Sequence, residues 1–127
     1  MKRVVVTGMG AITPIGFTAK ENWDSLMKSR SGIRSITLFD ASQYTSRIGG
    51  EVADFQAEKH FNVKELKKID RFIQFALVAG TQAFEDSGLR PETYNGEKFG
   101  SSIGVGIGGL IEIQSQYKEL LEKGPRR

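Results

Sequence analysis

The chain opens on an apolar β-branched run that breaks into paired glycines: Lys2 to Gly16 reads K-R-V-V-V-T-G-M-G-A-I-T-P-I-G. Val4 to Val6 predict a buried strand, and Gly8 and Gly10 predict that it delivers backbone into a tight loop. Such a loop serves a ligand or only the fold, and these residues leave both open. A pyrophosphate site is the obvious rival. Its third glycine would fall at Thr13, Pro14 stiffens the loop, and no acidic residue about 20 positions on closes a clear strand for ribose binding.

Downstream, Thr18 and Glu21 have capping-box spacing, and Trp23, Leu26 and Met27 then share one face, so a helix begins at Thr18 and ends over Ser29 to Gly32. From Ile33 to Asp54 the pattern is irregular and reads as a long connection ending in a short strand at Glu51 to Ala53. Asn62 and Glu65 have capping-box spacing, and Phe61 with Leu66 that of a hydrophobic staple, so a second helix starts near Val63. The period of Leu66, Ile69, Ile73, Ala76, Leu77, Gly80, Ala83 and Phe84 carries it unbroken to a C-terminal cap at Gly88. Its small residues, Ala76, Ala79, Gly80 and Ala83, predict close packing on a sheet or another helix. Phe99 to Val105 reads as a buried strand broken by Gly106, Gly108 and Gly109. A third helix with Leu110, Ile113, Tyr117, Leu120 and Leu121 on one face ends at Gly124 and Pro125. Strands and helices alternate, which indicates an α/β layered fold with a mixed sheet in a single domain over 1–127.

Composition excludes several chemistries. The 127 residues contain no cysteine, so disulfides, thiolate metal sites and thiol catalysis are absent within them. No metal site is expected either. A formal charge of +3 argues weakly for an acidic partner and not for nucleic acid. No run approaches the ~20 apolar residues needed to span a bilayer, and the start is too short in apolar residues for a secretory signal. A soluble cytoplasmic protein is the default.

Charge is distributed more tellingly than it is summed. At ~100° per residue, Lys64, Lys67, Lys68 and Arg71 fall within about 100° of arc, opposite the stripe of Leu66, Ile69, Ile73 and Gly80. Any amphipathic helix needs a polar face, and that reading stays open. Glu65 and Asp70 nevertheless lie off the ridge, so the lysines lack the interleaved acids of a salt-bridged face. In the second glycine loop, Gly106 to Gly109, Ile107 projects from otherwise bare backbone, as a turn constraint or as a site. A terminal basic pair, Arg126 and Arg127, means little alone.

Three further stretches, I-R-S-I-T-L-F-D (Ile33 to Asp40), K-K-I-D-R-F-I-Q-F-A-L (Lys67 to Leu77) and G-V-G-I-G-G-L (Gly104 to Leu110), follow the opening run in order. Together they resemble the β-ketoacyl-acyl-carrier-protein synthases, most closely the type II elongating condensing enzymes of bacterial fatty acid synthesis, over the whole chain. The resemblance implies a thiolase-like fold and decarboxylative condensation of a malonyl-carrier thioester with an acyl-enzyme thioester. It assigns that chemistry to a cysteine and two histidines lying beyond residue 127. His60, the only histidine, matches neither of them. The expectation is therefore the N-terminal part of such an enzyme, inactive alone, with no catalytic residue of its own.

By the same resemblance, Lys64, Lys67 and Lys68 dock an acidic acyl carrier protein, Arg71 completes the ridge, and Arg126 and Arg127 extend it. Ile107, between Gly106 and Gly108, lies at the inner end of the acyl tunnel near the interface of a homodimer, where it limits chain depth. No cofactor is implied, since substrates arrive on the carrier's phosphopantetheine. Two other readings stay open: a stand-alone carrier-binding fragment without catalysis, and a nucleotide-binding α/β domain.

Overall fold

The computed structural model describes residues 3–125, so Arg126 and Arg127 lie outside the described residues. Helix α1 covers Ala19–Met27, α2 Val63–Leu66, α3 Arg71–Asp86 and α4 Leu110–Lys123, with strands β1 at Ile33–Ser35 and β2 at Ile48–Gly50. Single 3-10 turns at Ala57–Lys59, Pro91–Thr93 and Gly96–Lys98 bend the connections.

Local capping chemistry explains where the helices begin and end. The Thr18 hydroxyl accepts from the Glu21 amide at 3.1 Å, and the Glu21 carboxylate accepts from the Phe17 amide at 2.7 Å. Gly88 (φ 68°) and Gly124 (φ 80°) occupy the left-handed conformation that closes α3 and α4, which a side chain would strain. All four of these positions agree with the sequence.

Helix α1 is seated by its polar side. Asn22 and Ser25 are buried while Trp23, Leu26 and Met27 are exposed. Asn22 Nδ2 donates to the Gly16 and Thr18 carbonyls at 3.0 and 2.8 Å, its Oδ1 accepts from the Thr13 hydroxyl, and Ser25 Oγ donates to the Ile15 carbonyl at 2.7 Å. These bonds pin the Thr13 to Gly16 turn, whose ends also exchange backbone hydrogen bonds of 2.9 and 3.3 Å.

Strands β1 and β2 pair antiparallel, with Ile33 opposite Gly50 and Ser35 opposite Ile48. The strand expected at Glu51 to Ala53 thus lies three residues earlier, at Ile48–Gly50, because its partner is Ile33 to Ser35 in a stretch that the sequence reading left irregular. Glu51 instead turns inward. It is 8 % exposed, and its carboxylate accepts from the Thr37 amide at 2.9 and 3.1 Å, the Thr37 hydroxyl at 2.8 Å and the Leu38 amide at 3.1 Å.

Neither long apolar segment forms a strand. Residues 3–12 and 99–105 carry no regular structure, and Val4, Val6 and Ile103 are 94 %, 81 % and 64 % exposed. A strand needs a neighbour for its amides and carbonyls, and no described residue pairs with either segment. The sheet of the described residues is the β1–β2 pair alone.

The first glycine loop lies against α3. A Cβ on Gly8 would strike the Ala83 carbonyl and come within 2.5 Å of the Ser87 amide nitrogen; one on Gly10 would strike the Ala79 carbonyl and lie 2.8 Å from Gln82 Cβ. Neither glycine has positive φ, so close approach is what demands them. Ala79 and Ala83 therefore pack closely, but on an irregular loop and not on the sheet or helix expected, whereas Gly80 has nothing within 4 Å of its Cβ position.

Phe55 (7 % exposed), Val78 (6 %) and Ala41 (8 %) make a small core. Total accessible surface is 10868 Å². A compact monomer of this mass exposes about 6,700 Å², so broad apolar faces are open. No helix of the described residues is long and apolar enough to cross a membrane.

Candidate functional site

The helix expected to run unbroken from Val63 to Gly88 is two helices. Asn62 Oδ1 accepts from the Lys64 and Glu65 amides at 3.0 Å each, and Glu65 Oε2 accepts from the Asn62 amide at 2.9 Å, a complete capping box. Four residues later the helix stops. Asp70 takes extended dihedrals as a second N-cap, its carboxylate accepting from the Arg71 amide at 2.7 Å, and α3 restarts behind it. The physical reason is the preference of aspartate for capping over helix interiors, which outweighs an apolar period that continues on either side. Gln74 Nε2 donates to the Ile69 carbonyl at 3.2 Å, satisfying one group the break exposes.

The expected ridge on one rod is corrected accordingly. Lys64 lies on α2, Lys67 is its C-cap and Lys68 belongs to the turn before Asp70. All three are exposed, and none forms an ion pair among the described residues. The nearby carboxylates of Glu65 and Asp70 are engaged with backbone amides. Arg71 leaves the group. Its guanidinium sits 5.9 Å from the Phe55 ring centre and 5.1 Å from that of Phe75 and donates to the Val52 carbonyl. It is half-buried, because two aromatic faces and a carbonyl hold it better than the lysine-rich side would.

A cleft of about 670 Å³ adjoins this turn, with Leu66, Lys67, Lys68, Asp70, Phe72 and Ile73 on one side and Gly109, Ile111 and Ile113 on the other. The structure thus brings the basic turn and the second glycine loop together. Gly108 lies under the Phe72 ring, and Gly109 (φ 66°) starts α4 as its N-cap. Ile107 is 77 % exposed on the outer side of the loop, and Gly106 has open space at its Cβ position.

Sequence reasoning missed Asp70 as a cap and Phe72 and Phe75 as anchors. An aspartate followed by an apolar run is the signal that would have exposed the first. It also missed the engaged state of the first glycine loop, where the Met9 amide donates to Asp86 at 2.8 Å and the Ala11 amide to Gln82 at 3.2 Å. That loop borders a cleft of about 1110 Å³, edged by Met9, Trp23, Leu26 and Asp86. With the Met9 and Ala11 amides taken and the Asp86 carboxylate beside them, it is a poor cradle for a pyrophosphate.

His60 is the only histidine. It stacks on Phe55 with ring centres 5.6 Å apart and planes 2° from parallel. Ser101 and Ser102, expected on a buried strand, are exposed. Among the described residues, no group of three or more His, Asp and Glu side chains is placed to hold a metal ion.

Comparison with known proteins agrees with this picture of a partial fold. The family described as "Beta-ketoacyl synthase, N-terminal domain" matches residues 1–127. The chain is 51 % identical over 126 residues to the 3-oxoacyl-[acyl-carrier-protein] synthase 2 of Synechocystis, and 44 % identical over 126 residues to that of Vibrio cholerae. Each alignment covers 99 % of this chain and 30 % of the relative, so the chain spans under a third of their length. A crystal structure of a β-ketoacyl synthase from Burkholderia phymatum superposes with a TM-score of 0.65 at 26 % identity, covering 98 % of this chain and 31 % of that one. The ishigamide ketosynthase/chain length factor gives a TM-score of 0.62 at 34 % identity, covering 69 % of this chain and 22 % of that one. These matches lead to one conclusion: the chain belongs to the β-ketoacyl synthase family, over that family's N-terminal domain.

Proposed function

We propose that this segment is the N-terminal part of a 3-oxoacyl-[acyl-carrier-protein] synthase of fatty acid synthesis. In that enzyme it supplies the carrier-protein dock, part of the acyl tunnel and part of the surface of a cytoplasmic homodimer. The carrying observation is the basic turn: Lys64, Lys67 and Lys68 are exposed and unpaired among the described residues, beside an apolar cleft edged by a glycine loop. An acidic carrier is steered to such a turn by long-range attraction, which raises the association rate and weakens with salt.

The chemistry belongs elsewhere in the enzyme. Decarboxylative condensation needs a thiolate to hold the acyl group, and donors for the enolate left when malonyl carrier loses carbon dioxide. No cysteine is available here. The cysteine and paired histidines lie outside these 127 residues, and the reading calls for no cofactor within them. Arg126 and Arg127 extend the dock, and Ile107, flanked by Gly106 and Gly108, limits how deep an acyl chain enters the tunnel.

Carbon dioxide release from malonyl carrier, measured on the full-length synthase and on the 127-residue chain, tests the proposal. Release by the synthase and none by the chain is expected. Release by the chain alone would overturn it.

A further inference from the structure

Two glycines in the second loop are required for two different reasons. Gly109 needs its left-handed backbone (φ 66°), and its Cβ position lies 3.8 Å from both Asp70 Oδ2 and Phe72 Cε1. Gly108 has no positive φ, so conformation does not require it. Space does. A Cβ there would fall 2.8 Å from Phe72 Cζ, 2.9 Å from Cε2 and 2.7 Å from Val105 Cγ1, closer than carbon atoms approach.

Phe72 is the second residue of α3, immediately behind the Asp70 cap that breaks the long helix. The break thereby aims a rigid aromatic ring at the bare backbone between Ile107 and α4. On the other side of Ile107, Gly106 meets nothing within 4 Å of its Cβ position. Gly108 is thus confined by the Phe72 ring and by Val105, while the Gly106 side of the loop is open.

We propose that Phe72 is a positioning residue for acyl-chain selectivity: by seating Gly108 it fixes where Ile107 stands. This rests on the reading of Ile107 given above. Phe72 lines the same cleft as Lys67 and Lys68 and acts through Gly108, as a positioning residue and not as a substrate contact.

The experiment is a double-mutant cycle of Phe72→Ala and Gly108→Ala in the full-length synthase, read two ways. The first readout is the ratio of kcat/KM for long against short acyl primers. Phe72→Ala shifts this ratio by about tenfold, the size one apolar pocket contact carries. Gly108→Ala shifts it too, and the double variant lies closer to wild type than the sum of the two, because removing the ring makes room for the new methyl group. The second readout is the melting temperature of the same four proteins, where the same coupling appears whether or not the enzyme condenses acyl chains. Phe72→Leu, which keeps most of the apolar volume, takes the place of Phe72→Ala if the latter fails to fold. Additive effects in both readouts overturn the proposal. Coupled melting with an unchanged selectivity ratio also overturns it and leaves the contact as packing alone. A synthase with no condensing activity would refute the functional reading instead, and the melting cycle would still test the contact.

Discussion

Gly8 and Gly10 show how single residues set this structure. Both lie where a methyl group would run into the carbonyls of Ala83 and Ala79, and helix backbone cannot give way as a side chain can. Gly8→Ala or Gly10→Ala is expected to destabilise the chain by about 1–3 kcal/mol, measured by urea unfolding. Gly80→Ala on the same helix meets open space and is expected to stabilise it by about 0.5–1 kcal/mol. The glycine pair at the start was legible as a constraint, though its cause was not: turn conformation and close approach leave the same residue in the sequence. The caps at Thr18, Asn62, Gly88 and Gly124 were legible, because a cap depends on three or four neighbouring residues; the one at Asp70 was not. Arg71 was not either, since the Phe55 ring and the Val52 carbonyl that help hold it lie far from it in the chain.

Among elements, the broken helix and the hairpin carry the consequences. An apolar period predicts which residues share a face but is blind to a cap inside it, so Asp70 divided what read as one helix. Asp70→Ala is expected to weaken the start of α3 by about 1 kcal/mol, seen as faster hydrogen exchange over Phe72 to Phe75. The hairpin depends on Glu51. Burial raises the pKa of its carboxyl, but the amides of Thr37 and Leu38, the Thr37 hydroxyl and the Arg34 charge outweigh burial and leave it below the usual glutamate value. A lowered folded pKa means stability that is fully present above the unfolded value, about 4.3, and lost as pH falls through the lower folded one. Exchange protection at Thr37 and Leu38 is expected to drop in that acid range, and Glu51→Gln is expected to remove the dependence. The two expected strands at Val4 to Val6 and Phe99 to Val105 failed for a different reason: propensity marks a strand, but only a partner makes one.

At the scale of the whole molecule, the chain is a family member spanning under a third of its relatives' length, with wide apolar faces and a basic turn beside a glycine loop. In the full-length synthase the amides of Val4 to Val6 and Ile103 to Val105 are expected to be protected from exchange, and in the 127-residue chain unprotected. Equal protection in both would show that the open faces are not where the synthase completes its sheet. The basic turn is the proposed carrier-facing surface. Its most direct measurement is the affinity of the full-length synthase for acyl carrier protein across a salt series, for wild type and for Lys64→Glu with Lys68→Glu. The account predicts at least about tenfold weaker binding at low salt and a flatter salt dependence for the double variant; equal affinities at low salt would contradict it.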